Sequence, residues 1–368
     1  MYKIMMRILI SFFLALLLPS LIFSDPDSPV FNVLDYGAVG NGYNDSTSAF
    51  NLTWAAACTS SSSSPTMYVP SDNTFLLHPL MLRGPCLSPD ITIVINGTII
   101  PPYRGWRWRW IDTHCIKWIC IKNVNGLSVR GSGRIIYGEP PEWWEVQDRM
   151  RPTSLMPLPK IIATQVFEIA HSKNISLSGL KFMDSHNTSV HLNNVTSARI
   201  FNITIAESSY NADGIHVSGS KDVTIDHCRI ATVGDCISIV DGSFNLKISN
   251  IVCGTGGGIS VGKLGSTGNI ENIVVSDVVF INTRNGAQIK TMGKVSKGHV
   301  RNINFERILL QDSRNRISIN QFYCGYERCS EHKSDVQVSD ITFREIFGTC
   351  KGESAVQLVC RTSLHSRI

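Results

Sequence analysis

The chain has 368 residues, with 34 lysines and arginines against 29 aspartates and glutamates, which gives a formal charge of +5 at pH 7. That length allows a large core and at most two or three domains. The positive charge is mild and is not gathered into runs, so it does not indicate a nucleic-acid partner, although it is compatible with an anionic polymer.

The N-terminal stretch has the pattern of a secretory signal peptide. Lys3 and Arg7 precede an apolar run over 8–18, and the small residue Ser24 lies near the expected cleavage point. A membrane anchor is the alternative, but the run is shorter than the ~20 apolar residues that a spanning helix needs. We therefore predict that the signal ends at Ser24 and that residues 25–368 are secreted, with no membrane association after cleavage.

Export changes how the cysteines and some asparagines are interpreted. The 11 cysteines predict disulfides, and their odd number leaves at least one without a partner in the chain. Cys115 and Cys120 have no second pair at ligand spacing, so we expect no zinc site, and the sequence predicts no metal or cofactor. Seven Asn-x-Ser/Thr sequons are candidate glycosylation sites, and the alternative is that some are structural asparagines of a β-array. The sequon residues are Asn44, Asn51, Asn96, Asn174, Asn187, Asn194 and Asn202.

The first hundred residues predict one helix among short strands. Residues 31–50 place a strand before a Gly-rich turn, and the pattern then becomes helical over Asn51–Cys58. We expect this short helix to cap one end of a β-array. Apolar runs at Met67–Val69, Thr74–Leu77 and Ile91–Ile100 are typical of strands, separated by Pro and Gly turns.

From about residue 111 to the end, one short β signature recurs: Asn or Asp, an aliphatic residue, any residue, then an aliphatic residue or Phe. Long helical periodicity is absent. A regular array with variable loops explains this, so we predict an all-β, right-handed parallel β-helix with about three short strands per coil and a single domain over 25–368. Asn and Asp suit coil corners because they tolerate left-handed backbone. The copies begin at Asn174, Asn202, Asp222, Asn245, Asn272, Asn302 and Asp340.

A second series places two carboxylates on one face. Strand starts at Asp213, Asp235 and Gly257 repeat with a spacing of 22 residues both times. Successive copies would stack about 4.8 Å apart across a parallel ladder, which aligns Asp213 with Asp235 for general acid/base work. On spacing alone the alternative is a pair of coil-corner carboxylates like Asp222. Gly257, and Gly234 just before Asp235, can do no acid/base chemistry.

These residues resemble the polygalacturonases, the pectin-hydrolysing glycosidases of the pectin lyase-like β-helix superfamily, and the plant type in particular. The resemblance covers roughly residues 31–360 and depends on many segments in the right order. They include FNVLDYGAVGNG, FLLHPLMLRGPC, INGTI, VNGLSVRGSG, RPTSL, NADGIHV, GDCISI, CGTGGGISVGKLG, NGAQIKT and INQFYC.

The resemblance implies an active site built from four motifs and a tyrosine, and the first two motifs each keep an acid. The family's Asn-Thr-Asp is Asn-Ala-Asp at 211–213, so Asp213 is retained. The family's Gly-Asp-Asp before a cysteine is Val-Gly-Asp at 233–235. Asp235 is therefore retained, while Gly234 replaces the first acid.

The other two motifs are also altered. The family's Gly-His-Gly is three glycines at 256–258, so Gly257 replaces the histidine. The family's Arg-Ile-Lys has lost its arginine to Gln288 and keeps Lys290. Tyr323, before a cysteine, matches the tyrosine that completes the site.

The resemblance implies inverting hydrolysis of galacturonic acid linkages, in which one acid protonates the leaving oxygen and other carboxylates activate water. Asp213 and Asp235 would be the water-activating pair, and Gly234 stands where the acid should be. Losing such a group costs ~10²–10⁴ in rate. Gln288, Lys290 and Tyr323 would contact substrate, with Lys290 attracting its carboxylate as a point charge.

Two functions therefore stay open. The first is a pectin hydrolase with impaired catalysis, for which Glu207 is the nearest spare carboxylate, although no spacing places it in the cleft. The second is an inactive homologue that still binds pectin or polygalacturonate; a pectin lyase-type eliminase is a weaker alternative. Lys263 is a candidate extra cation, or else a solvated loop lysine.

The resemblance also bears on disulfides and setting. We expect Cys236–Cys253 to tie adjacent coils beside the cleft and Cys324–Cys329 to close a small loop. A monomer in the extracellular space or cell wall, with an acidic polysaccharide as its partner, fits the predicted export.

Overall fold

A computed structural model of the chain describes residues 28–102, 117–138, 165–185, 188–207, 212–264, 267–292, 297–323, 335–352 and 354–360. The predicted signal peptide, the first motif's Asn211, the sequon at Asn187 and the expected Cys324–Cys329 disulfide lie outside these residues.

The described residues form one short 3-10 helix, one α-helix and a long series of strands. The 3-10 helix is Val33–Tyr36, and the α-helix, α1, is Thr47–Cys58. The strands are β1 Val30–Asn32, β2 Asn41–Asp45, β3 Thr66–Val69, β4 Thr74–Leu76, β5 Leu80–Arg83, β6 Ile91–Ile95, β7 Thr98–Ile100, β8 Lys117–Lys122, β9 Asn125–Arg130, β10 Arg134–Ile136, β11 Gln165–Ala170, β12 Lys173–Ser178, β13 Lys181–Met183, β14 Thr188–Asn193, β15 Thr196–Phe201, β16 Thr204–Ala206, β17 Asp213–Ser218, β18 Lys221–Asp226, β19 Arg229–Ala231, β20 Ile237–Ile239, β21 Phe244–Gly256, β22 Ile259–Gly262, β23 Thr267–Thr283, β24 Asn285–Met292, β25 Lys297–Ser313, β26 Asn315–Tyr323, β27 Asp335–Cys350 and β28 Val356–Val359.

The strands stack into a right-handed parallel β-helix, which confirms the predicted fold class. Ten strands, from β5 to β28, form one parallel sheet, and eighteen strands form the rest of the wall. Early coils contribute three short strands each, as predicted. In later coils the second and third strands run on as single long strands, such as β23 and β25, which pair in parallel over most of their length.

Columns of aliphatic side chains fill the interior of the coils. In the ten-stranded sheet one column runs from β11 to β26, with each member opposite the next. Burying one such side chain contributes about 1.5–3 kcal/mol relative to exposure, so this stack supplies much of the stability that holds neighbouring coils in register. The column is Ile169, Leu192, Val217, Ile239, Val261, Ile289 and Ile319, each at most 1 % exposed.

The coil corners are where the recurring Asn and Asp residues lie. All seven have positive φ, between 54° and 59°, the left-handed region that these residue types tolerate. The Asn302 side chain donates to the Asn272 side chain at 2.6 Å, so successive corners are also joined by an amide ladder.

Asn202, one of the seven copies of the repeat, does not lie at the corner that Asn174 and Asp222 share. Asn202 precedes β16, whereas the position stacked between Asn174 and Asp222 is held by Ser197, as the pairing of β12, β15 and β18 shows. Ser197 is also left-handed, with φ 60°. Both corners need a residue with left-handed backbone. Because Asn can occupy either corner, the sequence signature alone could not show to which corner Asn202 belongs.

The helix α1 begins at Thr47, four residues before the predicted start. The Asp45 carboxylate accepts hydrogen bonds from the Thr47 backbone N–H at 2.9 Å and hydroxyl at 2.6 Å, which satisfies a donor that the first turn leaves unpaired. Phe50 and Trp54 are buried against the first coils, and the Trp54 indole donates to the Arg83 carbonyl at 3.0 Å. Within the described ranges, no helix is both long and apolar enough to cross a bilayer.

Two smaller features complete the N-terminal coils. The apolar run over Ile91–Ile100 forms two strands, β6 and β7, because Gly97 turns the chain where a Cβ would lie 2.5 Å from the Pro70 carbonyl oxygen. A disulfide between Cys58 and Cys86 joins the end of α1 to the loop after β5.

Candidate active site

The two retained aspartates lie side by side at the start of neighbouring strands of the ten-stranded sheet. Ile215, Ile237 and Ile259 are directly opposite one another in β17, β20 and β22. The register therefore confirms the 22-residue spacing and stacks Asp213, Asp235 and Gly257. We call these three residues, together with Asn285 at the start of β24, the site column.

A row of polar side chains runs beside the site column, one from each strand. Each member stands between two apolar residues of its own strand, and successive members are opposite each other. Sequence reasoning missed most of this row, although the recurring apolar-polar-apolar triplets, such as Ile-His-Val and Ile-Ser-Ile, are a signal for it. The polar row is Glu168, His191, His216, Ser238, Ser260, Gln288 and Ser318.

Asp213 is bound by its neighbours in the next coil and in the polar row. Its Oδ1 accepts from the Asp235 backbone N–H at 2.7 Å, and its Oδ2 accepts from the Ser238 hydroxyl at 3.1 Å. The His216 Nδ1 lies 2.7 Å from the Ser238 oxygen and 3.9 Å from Asp213 Oδ2. Burial alone would raise the pKa of Asp213, but His216 and the Asp235 N–H outweigh it and lower the pKa. Asp213 is therefore ionised at neutral pH.

Asp235 is saturated by contacts from the following two coils. Its Oδ2 accepts from the Ser260 hydroxyl at 2.7 Å and from the Lys290 ammonium at 2.6 Å. Its Oδ1 accepts from the Gln288 amide at 3.3 Å. A water molecule that approached either oxygen as a nucleophile would have to compete with these protein donors.

Lys290 is committed to this ion pair. The side chains of Lys290 and Asp235 are only 10 % and 13 % exposed, and the ammonium also lies 5.0 Å from the centre of the Tyr323 ring. A cation over an aromatic face is attracted by the ring, so Tyr323 adds to the same arrangement. The structure thus places Lys290 and Tyr323 together, with the positive charge directed at Asp235.

Gln288 fills the place where the resembled family has an arginine. Its amide donates to Asp235 and to the Gly257 carbonyl, and its own carbonyl accepts from the Asn285 side chain at 3.4 Å. The residue is 6 % exposed. Gln288 therefore links Asp235, Gly257 and Asn285 of the site column through neutral hydrogen bonds and adds no charge to the site.

Gly234 and Gly257, the two glycines of the altered motifs, lie close to neighbouring backbone and carboxylate oxygens. A Cβ on Gly234 would lie 2.5 Å from Asp213 Oδ1 and 2.6 Å from the Ala212 carbonyl oxygen. A Cβ on Gly257 would lie 2.3 Å from Asp235 Oδ1. Neither space admits a side chain unless its neighbours move.

A disulfide confirms the predicted link between Cys236 and Cys253. Cys236 directly follows Asp235, and Cys253 lies in β21 of the next coil, so the bond anchors the backbone behind the site column. Both cysteines are fully buried.

Two further residues from the sequence analysis occupy separate positions. Glu207 is buried, and its carboxylate accepts from the Ser185 backbone N–H and from the Ser189 hydroxyl at 2.5 Å. Burial raises the pKa of Glu207 to about 7, but its contacts are with these serines and none joins it to the site column. Lys263 is exposed, its backbone N–H donates to the Lys290 carbonyl at 2.6 Å, and its positive charge helps to lower the pKa of Asp213.

The far end of the polar row forms a compact charged cluster. Glu168 is fully buried, pairs with Lys117, accepts from the Asn193 amide at 2.9 Å and lies 3.3 Å from the His191 ring. Burial alone would raise the pKa of Glu168, but these three partners hold it at about 2. Burial lowers the pKa of His191, whose Nε2 is 2.8 Å from the Ser218 hydroxyl. The cluster thus neutralises its own charges.

Taken together, the site offers two adjacent carboxylates on a rigid sheet. Asp213 has the charge state of a general base, while Asp235 is held in an ion pair. The site column contains no third carboxyl group.

Comparisons with known proteins agree on one family. The profile described as Glycosyl hydrolases family 28 matches residues 58–367. A polygalacturonase of Prunus persica is 36% identical over 95% of this chain and 87% of its own length. A probable polygalacturonase of Arabidopsis thaliana is 36% identical over 90% of this chain and 70% of its own length. A polygalacturonase of Chamaecyparis obtusa is 34% identical over 91% of this chain, which spans only 64% of that relative.

Solved structures show the same fold at low identity. An endo-xylogalacturonan hydrolase from Aspergillus tubingensis superposes with a TM-score of 0.72 and 21% identity, over 91% of this chain and 96% of that one. A hyperthermoactive exopolygalacturonase from Thermotoga maritima gives 0.69 and 18%, over 89% and 88%.

Proposed function

We propose that this chain, which belongs to glycosyl hydrolases family 28, is a polygalacturonase-like protein of the cell wall that binds pectin and hydrolyses it slowly or not at all. The names of its relatives support pectin as the substrate. The glycine at position 234 and the ion pair that holds Asp235 support impaired catalysis.

The observation that carries the proposal is the closed space at Gly234. In an inverting hydrolase an acid must protonate the leaving oxygen while a base activates water on the opposite face. Gly234 stands where the resemblance places that acid, and both the Asp213 carboxylate and the Ala212 carbonyl occupy the room its side chain would need. The chain has therefore lost the group and the space for it.

The remaining residues support the same conclusion. Asp213 is ionised and could serve as a base, but without an acid the sugar must leave as an alkoxide, and losing such a group costs ~10²–10⁴ in rate. The loss of histidine at Gly257 and of arginine at Gln288 removes further groups that the resemblance assigns to the reaction. Burial raises the pKa of Glu207 to about 7, but its carboxylate is bound by Ser185 and Ser189 and no contact joins it to the site column.

A second candidate function is binding without catalysis. The specific observation in its favour is the Lys290–Asp235 ion pair, closed by Ser260 and Gln288. These contacts use the donors and acceptors of the site on each other and hold Asp235 in an ion pair. A bound sugar would therefore meet no free carboxylate at that position, which favours binding without a reaction.

The setting is part of the proposal. The signal-peptide pattern of the first 24 residues and the sequons support export to the cell wall as a monomeric glycoprotein. Detecting the processed, glycosylated protein in a wall extract would check this, and retention of the unprocessed chain inside cells would contradict it.

The catalytic proposal is tested by the release of reducing ends from polygalacturonate. The purified natural protein is assayed beside a Gly234→Asp, Gly257→His, Gln288→Arg triple variant, in which the Asp213 side chain and the Ala212 backbone must shift to admit the new acid. We expect the natural protein to be slower by ~10²-fold or more, the typical cost of a missing acid/base group. Turnover by the natural protein equal to that of a folded, active triple variant would contradict the proposal.

A further inference from the structure

Arg284 is an exposed cation at the edge of the site column. It directly precedes Asn285 of the site column, and its backbone N–H donates to the Gly256 carbonyl at 2.7 Å. Its guanidinium reaches back past the coil of β22 and donates from Nη2 to the Val233 carbonyl at 2.6 Å. Because Val233 directly precedes Gly234, this contact places the guanidinium beside the position that the resemblance assigns to the acid.

The charge of Arg284 has no counter-ion among the residues that the structure describes. A guanidinium carries several N–H donors, and the hydrogen bond that this side chain makes there is to a neutral carbonyl. The exposed arginines of β25 differ, since Arg301 pairs with Glu271 at 2.9 Å and Arg307 with Asp277 at 2.8 Å. Arg284 therefore keeps a charged fork of donors open to solvent, and such a fork suits bidentate binding of a carboxylate.

Lys263 adds a second exposed charge near the site column. It follows β22 with a left-handed φ of 53°, and the Lys290 carbonyl accepts its backbone N–H at 2.6 Å. Its ammonium forms no ion pair within the described part of the chain. Its positive charge helps to lower the pKa of Asp213, so its field reaches the carboxylates of the site.

The balance of charges around the site column favours an acidic guest. Lys290 and Asp235 neutralise one another at 2.6 Å, which leaves Asp213 as the unpaired carboxylate of the site column. Arg284 and Lys263 together outweigh that single negative charge. A free carboxylate arriving at this edge of the sheet is therefore attracted, and the attraction weakens as salt is added.

We propose that Arg284 binds the free carboxylate of a galacturonate unit at the site column, with Lys263 adding to the attraction. Arg284 thereby takes the role that the resemblance assigns to an arginine at position 288. Gln288 is neutral and buried, whereas Arg284 presents its charge at the surface of the same coil. This inference rests on the proposed pectin binding and names the free acid as the form of pectin that is bound.

The test compares two ligands on the natural protein and on Arg284→Gln. Oligogalacturonates of one length are prepared as the free acid and as the full methyl ester, and both are titrated by calorimetry at neutral pH. We expect the natural protein to bind the free acid more tightly than the ester. Arg284→Gln should weaken free-acid binding about fivefold, the effect of an exposed ion pair, and ester binding by less than about twofold. Equal losses for the two ligands, or tighter binding of the ester by the natural protein, would overturn the inference.

Arg134→Gln is the matched control, because Arg134 is an exposed arginine of β10 and lies in a coil before the site column begins. It removes the same charge and should leave both affinities unchanged. Arg284→Lys should recover only part of the loss, since an ammonium keeps the charge without the fork. Thermal unfolding of each variant checks that it is folded. A loss with Arg134→Gln equal to that with Arg284→Gln would show a general effect of charge and overturn the inference.

The salt dependence tests the contribution of both cations. Free-acid binding by the natural protein should weaken as salt is raised, and an Arg284→Gln, Lys263→Gln double variant should lose most of that dependence. An unchanged dependence would contradict the role of these two charges. If neither ligand binds the natural protein, the proposed pectin binding fails along with the inference; if both bind and Arg284→Gln alters neither affinity, the inference alone fails.

Discussion

Replacing Gly234 with alanine tests whether the acid position has closed. The added Cβ would lie 2.5 Å from Asp213 Oδ1, 2.6 Å from the Ala212 carbonyl oxygen and 2.8 Å from its carbon. Real Cβ atoms do not approach heavy atoms so closely. The Asp213 oxygen ends a side chain and can turn aside, but the Ala212 carbonyl is backbone and also accepts the Gly234 N–H at 2.9 Å.

The cost follows from this crowding. Forcing one methyl group into a packed region costs about 1–3 kcal/mol. A glycine replaced by alanine without strain gains about 0.4–1 kcal/mol from the less flexible unfolded chain. We therefore expect Gly234→Ala to lower the free energy of unfolding by about 1–2 kcal/mol.

Gly254→Ala is the matched control because a Cβ there has only ordinary contact, with the Ala231 Cβ at 3.8 Å. Both variants are unfolded in urea and compared at the transition midpoint. The control should equal or slightly exceed the natural protein. If Gly234→Ala were as stable as Gly254→Ala, the space would be open, and the reasoning that the acid position has closed would be refuted.

Three further predictions concern the groups around the site. Lys290→Met should lower the free energy of unfolding by about 3–5 kcal/mol by leaving a buried carboxylate unpaired, and adding Asp235→Asn should recover most of that loss; urea unfolding of both variants decides this, and a single variant as stable as the double variant would contradict it. Replacing Cys236 and Cys253 together by serine should cost about 3 kcal/mol, since their disulfide closes a short loop, whereas an unchanged thermal midpoint would show that the bond adds nothing. Glu207→Gln should gain stability relative to the natural protein as the pH rises. The pKa of Glu207 is raised to about 7 in the folded state. Its contribution to the free energy of unfolding is therefore full below the unfolded pKa near 4.3 and is lost as the pH rises through about 7. Unfolding at several pH values between these limits measures the difference, and a difference independent of pH would contradict the buried, protonated state of Glu207.

Most of the fold could be predicted because its determinants are local and periodic. Each coil repeats an aliphatic column and an Asn or Asp at a left-handed corner, so the sequence carries the period directly. The repeat also explains why Asn202 was assigned to the wrong corner. Two corners of each coil need a left-handed residue, and Asn is suited to both. The start of α1 at Thr47 was missed because it depends on the Asp45 side chain and not on the apolar pattern.

The site was only partly predictable from the sequence. The spacing placed Asp213, Asp235 and Gly257 in one column because the period fixes which residues are opposite. It could not show the Lys290–Asp235 ion pair, since the pair joins two coils across the strand between them and depends on where flexible side chains point. Nor could it show that the backbone had closed around Gly234, because that depends on distances of tenths of an ångström.

The most direct test of the central claim, that the site column no longer contributes to hydrolysis, compares the natural protein with its own Asp213→Asn, Asp235→Asn double variant on polygalacturonate. Both asparagines keep the shape of the side chains they replace, so the comparison needs no rebuilt motif. If catalysis is already lost, the two proteins release reducing ends at the same rate. A natural protein faster by ~10²-fold or more, the contribution of working acid/base residues, would contradict the account.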